Sequence, residues 1–313
     1  TCKSVQNGVP ISLTTSASYT NSNGMTNCTG IYADAVVLAR ARGAGTFNVA
    51  SIFMYSALAM LSLAHGQAAT GTTNCAWYDS TGVNNFPKGC NNGSLADTND
   101  ATVTFTTAGD AGTTAKPKTG SASNLAKTTH NGQSCGVTDV NGAMWQVMLG
   151  VTSPGASATD SVTIASGNSY VLKRSVALAS LTGGWNGTND AWGDATNLAT
   201  KYDSVTGLFP FGSTTGWTYF GNGSNNVFSG ATSGTSYLRT ACGIQDTTSG
   251  TSAAGTNQFG NDGCYQYNLA NQFPIGSAYW GNGSYAGVFC RGWSGVRSND
   301  VSSVGFRAAA YGS

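Results

Sequence analysis

Residues Gly276–Gly312 read GSAYWGNGSYAGVFCRGWSGVRSNDVSSVGFRAAAYG, and two kinds of residue alternate along them. Trp280, Gly287, Val288, Phe289, Arg291, Trp293, Arg297, Val304, Gly305, Phe306 and Arg307 form one set: aromatic or apolar anchors, glycines and arginines. Between them sit Gly281, Tyr285, Cys290, Gly292, Ser294, Gly295, Val296, Asp300, Ser302 and Ser303, small or adaptable residues without a repeat. Strand side chains alternate between two faces. Anchors that fill a core therefore turn the intervening residues outward. With Tyr279, the second set is expected to form one contiguous solvent-facing surface. Its composition suits recognition, because Tyr supplies contact area while Ser and Gly supply adaptability.

The same segment resembles the variable region of proteins diversified by diversity-generating retroelements. In that family a C-type lectin fold ends in a motif like W-x-N-G-S-x-A-G-V-F-x-R-x-W-x-x-x-R-S-N-x-x-x-x-V-G-F-R. This chain fills it from Trp280 through Arg307, with Asn282, Gly283, Ser284, Ala286, Ser298 and Asn299 also at their places. The resemblance implies that the x positions derive from adenine-rich Asn codons randomised by reverse transcription. An AAC codon mutated at its adenines cannot encode Lys, Glu, Gln, Met or Trp, and none of these occupies an x position here.

A second landmark lies at Asp139–Val147, DVNGAMWQV. It resembles the D-x-x-G-N-V-W-E-W motif of the lectin-fold subgroup that includes formylglycine-generating enzymes. Asp139, Gly142 and Trp145 match, whereas Ala143, Met144, Gln146 and Val147 depart. The resemblance implies that Trp145 lies on a central strand packed against the C-terminal Gly-Phe-Arg strand. Enzyme chemistry does not transfer, because those enzymes act through a C-terminal cysteine pair and the terminal region here holds only Cys290. The fold expected is α+β: one C-type lectin-like domain over 1–313, with an N-terminal arm (1–30), a long polar insertion (154–263) and a variable ligand-binding region (276–312). Its scaffold comprises Trp145, Trp280, Phe289, Arg291, Trp293, Arg297, Phe306 and Arg307.

Composition limits the partners. Only 9% of residues are charged and the formal net charge is +1, which gives no electrostatic reason to expect nucleic acid or an acidic membrane. Disorder is disfavoured by seven Trp, thirteen Tyr and twelve Phe. The eight cysteines are Cys2, Cys28, Cys75, Cys90, Cys135, Cys242, Cys264 and Cys290, with no C-x-x-C pair. An even number in a neutral polar chain points to disulfides and an oxidising compartment. Proximity in sequence would pair Cys2 with Cys28, Cys75 with Cys90 and Cys242 with Cys264, although spacing does not fix connectivity. The chain begins at Thr1, without Met or a charged leader, so any secretory signal is expected to have been removed.

Residues 31–42, IYADAVVLARAR, suit a helix with basic residues at its C-terminal end, where the dipole favours them. The most apolar stretch, Phe47–His65, reads as a core helix ending at Gly66. Ser and Asn along it and a short uninterrupted apolar run argue against a membrane span. Thr102–Thr106 alternates like a strand, and 107–134 reads as a low-complexity surface loop.

Catalytic signatures are sparse. His65 ends the expected core helix, His130 lies in the low-complexity loop, and no phosphate-binding loop, dinucleotide fingerprint or H-E-x-x-H occurs. Asn189, Asp190, Asp194 and Asp203 offer oxygen donors for calcium, but they lack a regular loop spacing and equally suit turns. The sequence thus assigns no cofactor and leaves any metal ligand unknown, with calcium as the alternative. The function expected is non-enzymatic recognition of a cell-surface protein or glycan, by a viral adhesin or surface-displayed receptor. That places the chain on a virion or an extracellular surface. A structural virion or surface-layer subunit is the alternative reading.

Overall fold

The computed structural model describes residues 6–8, 10–14, 32–69, 104–106, 116–120, 129–130, 136–153, 169–182, 198–208, 216–219, 234–244, 262–266, 272–282 and 286–312. Over these residues the protein is mixed α+β, with more strand than helix elements. The strands are β1 (Phe47–Val49), β2 (Phe105–Thr106), β3 (Lys116–Pro117), β4 (Trp145–Val147), β5 (Val151–Thr152), β6 (Ser169–Leu172), β7 (Tyr202–Val205), β8 (Gly216–Tyr219), β9 (Gly263–Gln266), β10 (Gln272–Gly276), β11 (Arg291–Val296), β12 (Val304–Phe306) and β13 (Ala308–Ala310). The helices are α1 (Asp34–Arg40), α2 (Ile52–Ala69), α3 (Leu198–Lys201) and α4 (Gly234–Ala241).

The central sheet has six strands in the order β12-β4-β10-β11-β9-β8. Its register aligns one residue from each strand into a row: Trp217, Tyr265, Gly292, Ile275, Val147 and Phe306. Neighbours in such a row share a face. Trp145 lies two residues before Val147 and so points the same way. The other face carries the parallel row Cys264, Arg291, Gly276, Gln146 and Gly305. Both faces are covered over part of their area. The first joins Tyr32 and the apolar side of α1 in the largest core cluster, while Trp293 on the second packs with Ile52 and Tyr55 of α2.

The expected Trp145 and Gly-Phe-Arg strands are adjacent and parallel, with Trp145 opposite Val304 and Phe306 opposite Val147. Phe306 is nevertheless only half-buried, because β12 is the sheet's edge strand. The N-terminal arm covers part of that edge: Leu13 N donates to Val304 O, and Val301 N donates to Leu13 O. Leu13 itself is fully buried.

The core-helix expectation needs its start corrected. Phe47–Val49 is strand β1, paired antiparallel with β13, and the helix runs from Ile52 to Ala69. Helical composition yields here to a partner more than 250 residues away, since Phe47 faces Ala310. Asn48 is buried in this strand, and its Nδ2 donates to Leu178 O (2.8 Å) and Leu181 O (3.0 Å). Arg40 Nη1 donates to Ala179 O and Leu181 O, so the 178–181 turn is clamped from both elements. The helix expected over 31–42 is shorter, spanning Asp34–Arg40. No helix among the described residues is long and apolar enough to cross a membrane.

Residues 154–263, expected as an insertion, supply strands to two sheets. β6 and β7 join β5 in a three-stranded sheet, and β8 is the far edge of the central one. Leu172, Leu181 and Tyr202 belong to the largest core cluster. Within the expected loop 107–134, Lys116–Pro117 pairs with Phe105–Thr106.

Candidate functional site

Of the terminal motif's expected scaffold residues, Phe306 and Arg307 are half-buried and the others are buried. Trp280, Phe289, Arg291, Trp293 and Arg297 are each 3% exposed or less, and Trp145 is 7% exposed. Burying arginines requires acceptors, because an unpaired buried charge is costly. Arg291 Nη1 donates to Val288 O and Cys290 O, both at 2.9 Å. Arg297 Nη2 donates to Ser153 O (2.8 Å) and Thr152 Oγ1 (3.1 Å). Arg307 Nε donates to Gln146 Oε1 (3.2 Å) and its Nη2 to Thr138 O (2.5 Å). Gln146 Oε1 also accepts from the Tyr55 hydroxyl, and its Nε2 donates to Asp139 O. Gln146 therefore joins α2, β4 and the terminal Arg307 through hydrogen bonds.

The expected recognition surface divides. Gly281 and Asp300 are exposed, while Tyr279, Ser294, Ser302 and Ser303 are half-buried. Tyr285 lies outside the described residues. Cys290, Gly292, Gly295 and Val296 are buried, which corrects the expectation that they face solvent. The reason is the position of β11 between β10 and β9 in a sheet covered on both sides. Strand alternation assigns a residue to a face but leaves open what lies over that face. A Cβ at Gly295 would stand 2.6 Å from Tyr32 Cε2, so only hydrogen fits under that ring.

Where the cover of the first face ends, an open pocket of about 250 Å³ remains. Trp145, Trp217, Tyr265, Ile275, Asn282, Gly292 and Ser294 line it. The cross-strand row explains the grouping: Trp217, Tyr265, Gly292 and Ile275 stand side by side on β8, β9, β11 and β10. The Trp217 and Tyr265 rings are 5.1 Å apart and inclined at 60°, one of the tilted arrangements aromatic pairs favour. Gly292 makes the gap between them and Ile275, since a Cβ there would meet Ile275 Cγ1 at 2.9 Å and Trp145 Cη2 at 3.5 Å. Asn282 closes a turn on the rim, with its Oδ1 accepting from Tyr279 N (3.0 Å) and its own N donating to Tyr279 O (3.0 Å). That turn follows two non-glycine residues of positive φ, Ser277 (75°) and Ala278 (57°), and presents Tyr279 edge-on to Trp280. Such backbone strain persists only where the surroundings over-determine it. Here Ser277 O accepts from Gly142 N (2.7 Å) and Ser277 N donates to Cys290 O (3.2 Å).

Gly292 and Ser294 stand out in the sequence through the terminal motif, whereas Trp217 and Tyr265, which join them at the pocket, do not. Their only sequence signal was membership of aromatic clusters without a motif.

The titratable candidates have structural surroundings. His130 is 7% exposed, corrected from the expected surface loop, and its Nδ1 accepts from Val137 N (3.0 Å). Cys242, Cys264 and Cys290 are buried and not in a disulfide, so the expected Cys242–Cys264 bridge is not formed. Cys264 lies on β9, Cys242 just past the end of α4 and Cys290 just before β11, so the fold and not closeness in sequence places them. The other two proposed pairs lie outside the described residues. Burial pushes the Cys242 and Cys264 thiols up to about 12, with the Arg291 cation opposing. Asp262 is fully buried beside this cluster, and burial holds its carboxyl well above the usual range against the pull of Phe289 N–H and Arg291. Its Oδ2 accepts from Phe289 N (2.8 Å), which pins the loop entering β11. A side chain at Gly287 would collide with this carboxylate, explaining that glycine.

No cluster of metal-ligating side chains occurs among the described residues. Of the carboxylates and amides weighed for calcium, Asp203 is exposed and 3.9 Å from Lys173 Nζ, while Asn189, Asp190 and Asp194 lie outside the described residues. Neither a family model nor a curated protein sequence matches this chain.

Proposed function

We propose that this chain is a recognition protein of C-type lectin-like fold, whose segment 276–312 is a retroelement-diversified binding region. It acts without catalysis, at a virion or cell surface, as an adhesin or displayed receptor for a cell-surface protein or glycan. The observation that carries the reading is the division within the terminal motif. Its fixed positions Trp280, Phe289, Arg291, Trp293 and Arg297 are buried and hydrogen-bonded or packed, while its x positions Gly292 and Ser294 open onto an aromatic pocket. Gly281, Asp300, Ser302 and Ser303 extend the accessible set. The binding surface proposed is thus narrower than the motif's full x set: it excludes Cys290, Gly295 and Val296. Aromatic anchors with a few convergent polar groups are the usual make-up of a ligand site.

The test is a panel of substitutions at Tyr279, Gly281, Ser294, Asp300, Ser302 and Ser303, scored for melting temperature and for capture on a collection of whole cells. Retained melting with altered cell preference is expected. Uniform loss of folding, or unchanged capture throughout, would favour the structural-subunit reading.

A further inference from the structure

We infer that the Trp145–Trp217–Tyr265 pocket takes a single neutral sugar ring, and that residue 292 is the position that opens or closes it. This rests on the recognition reading above and adds the ligand's chemistry. Four properties of the pocket select the ligand. Its volume of about 250 Å³ lies below the ~300–1,000 Å³ of pockets that enclose drug-sized molecules, leaving room for one ring. Its walls are aromatic, with Trp217 and Tyr265 half-buried and so able to present ring area to a ligand. Among the described residues no charged side chain lines it, so none of them would offset the desolvation of an anion or cation. Among the described lining residues, the polar side chains besides the aromatic ones are the Asn282 amide and the Ser294 hydroxyl. Asn282 Oδ1 is engaged by Tyr279 N–H, which leaves the Nδ2 donors, while a hydroxyl both donates and accepts. An apolar ring face flanked by hydroxyls matches this set: carbon-bound hydrogens against the aromatic rings, hydroxyls to Asn282 and Ser294.

Residue 292 controls access because it is the one backbone position in the row Trp217–Tyr265–292–Ile275 that carries no side chain. Its φ is not in the left-handed region, so the backbone accepts other residues there. Any side chain would project into the space bounded by Ile275 and Trp145. A chain differing at 292 would therefore lose the pocket, and Ile275 would have to shift to admit the new side chain.

The experiment uses the full chain and ligand-observed NMR with calorimetry. Probes are methyl glycosides of neutral hexoses and N-acetylhexosamines, a sialic acid glycoside, and indole and p-cresol as non-sugar rings. Saturable binding of at least one neutral glycoside is expected, with the sialoside at least tenfold weaker. Gly292→Val and Trp217→Ala should each weaken that binding at least tenfold. Trp217 is half-buried on the edge strand β8, so its variant should keep its fold even if Gly292→Val does not. Binding of indole or p-cresol alone, or glycoside binding untouched by Trp217→Ala, overturns the inference. If no glycoside binds yet Ser294 and Asp300 variants still change cell capture, the sugar assignment fails and the recognition reading stands. If the parent captures no cell and binds no probe, both fail.

Discussion

Gly295→Ala separates a solvent-facing β11 from a buried one. The resemblance places 295 among diversified positions, where an alanine would cost almost nothing. In the structure, the added methyl would stand 2.6 Å from Tyr32 Cε2 and 3.0 Å from Cδ2. That ring has little room to retreat: Tyr32 is 3% exposed and packs against Phe273 at 5.5 Å between centroids. Its backbone N also donates to Asn299 O (2.9 Å), which fixes it to the turn after β11. Overpacking a filled core by a methyl or so costs ~1–3 kcal/mol. Each kcal/mol lowers Tm by about 2 °C or less in a chain of this length, so a fall of a few degrees is expected. The assay is thermal and urea unfolding of Gly295→Ala beside Ser294→Ala. Ser294 is half-buried at the pocket, and its variant should stay within about 0.5 kcal/mol of the parent. A third variant, Tyr32→Val, removes the clashing ring atoms, and Gly295→Ala should cost less in that background, with a coupling of about 0.5–3 kcal/mol. If Gly295→Ala unfolds like the parent, or the cycle shows no coupling, β11 is not covered by Tyr32. The division of the motif argued above would then be wrong.

Two further outcomes follow from buried ionisable groups. Burial raises the Asp262 carboxyl well above its usual value, and raises Asp139 in the same direction despite Arg307 and Gly120 N–H. The folded chain then holds protons that the unfolded chain releases, so stability falls as pH rises. The contribution is fullest below the unfolded carboxylate pKa of ~3.9 and is lost as pH climbs from there through the folded values. Asp262→Asn keeps an acceptor for Phe289 N–H but cannot ionise, so its stability should decline less between acid and neutral pH; a parent-like slope in urea titrations would contradict this. Cys242, Cys264 and Cys290 should resist a thiol reagent in the native protein, being buried with thiols shifted upward. All three should label after unfolding without reductant, and recovery of a disulfide-linked Cys242–Cys264 peptide by mass spectrometry would contradict the unbridged arrangement.

Much of the framework was legible in the residues themselves. Large aromatics such as Trp280, Phe289 and Trp293 have no favourable place but a core, and all three are buried. Asp139 and Gly142 both adopt positive φ before β4, a turn that their residue types allow locally. The helix at 34–40 follows from apolar spacing and a basic end. These are properties a short stretch of chain carries with it. Tertiary structure alone decided the rest. Phe47–Val49 is strand because Ala308–Ala310 arrives beside it. Gly292 lines a pocket while Gly295 lies sealed under Tyr32, although both are glycines on one strand. Trp217 and Tyr265 face Gly292 only through the register of β8 on β9 and β9 on β11. Strand alternation is a local periodicity, but burial depends on which distant segments pair with a strand and cover it, and that comes from contacts the strand's own sequence does not contain.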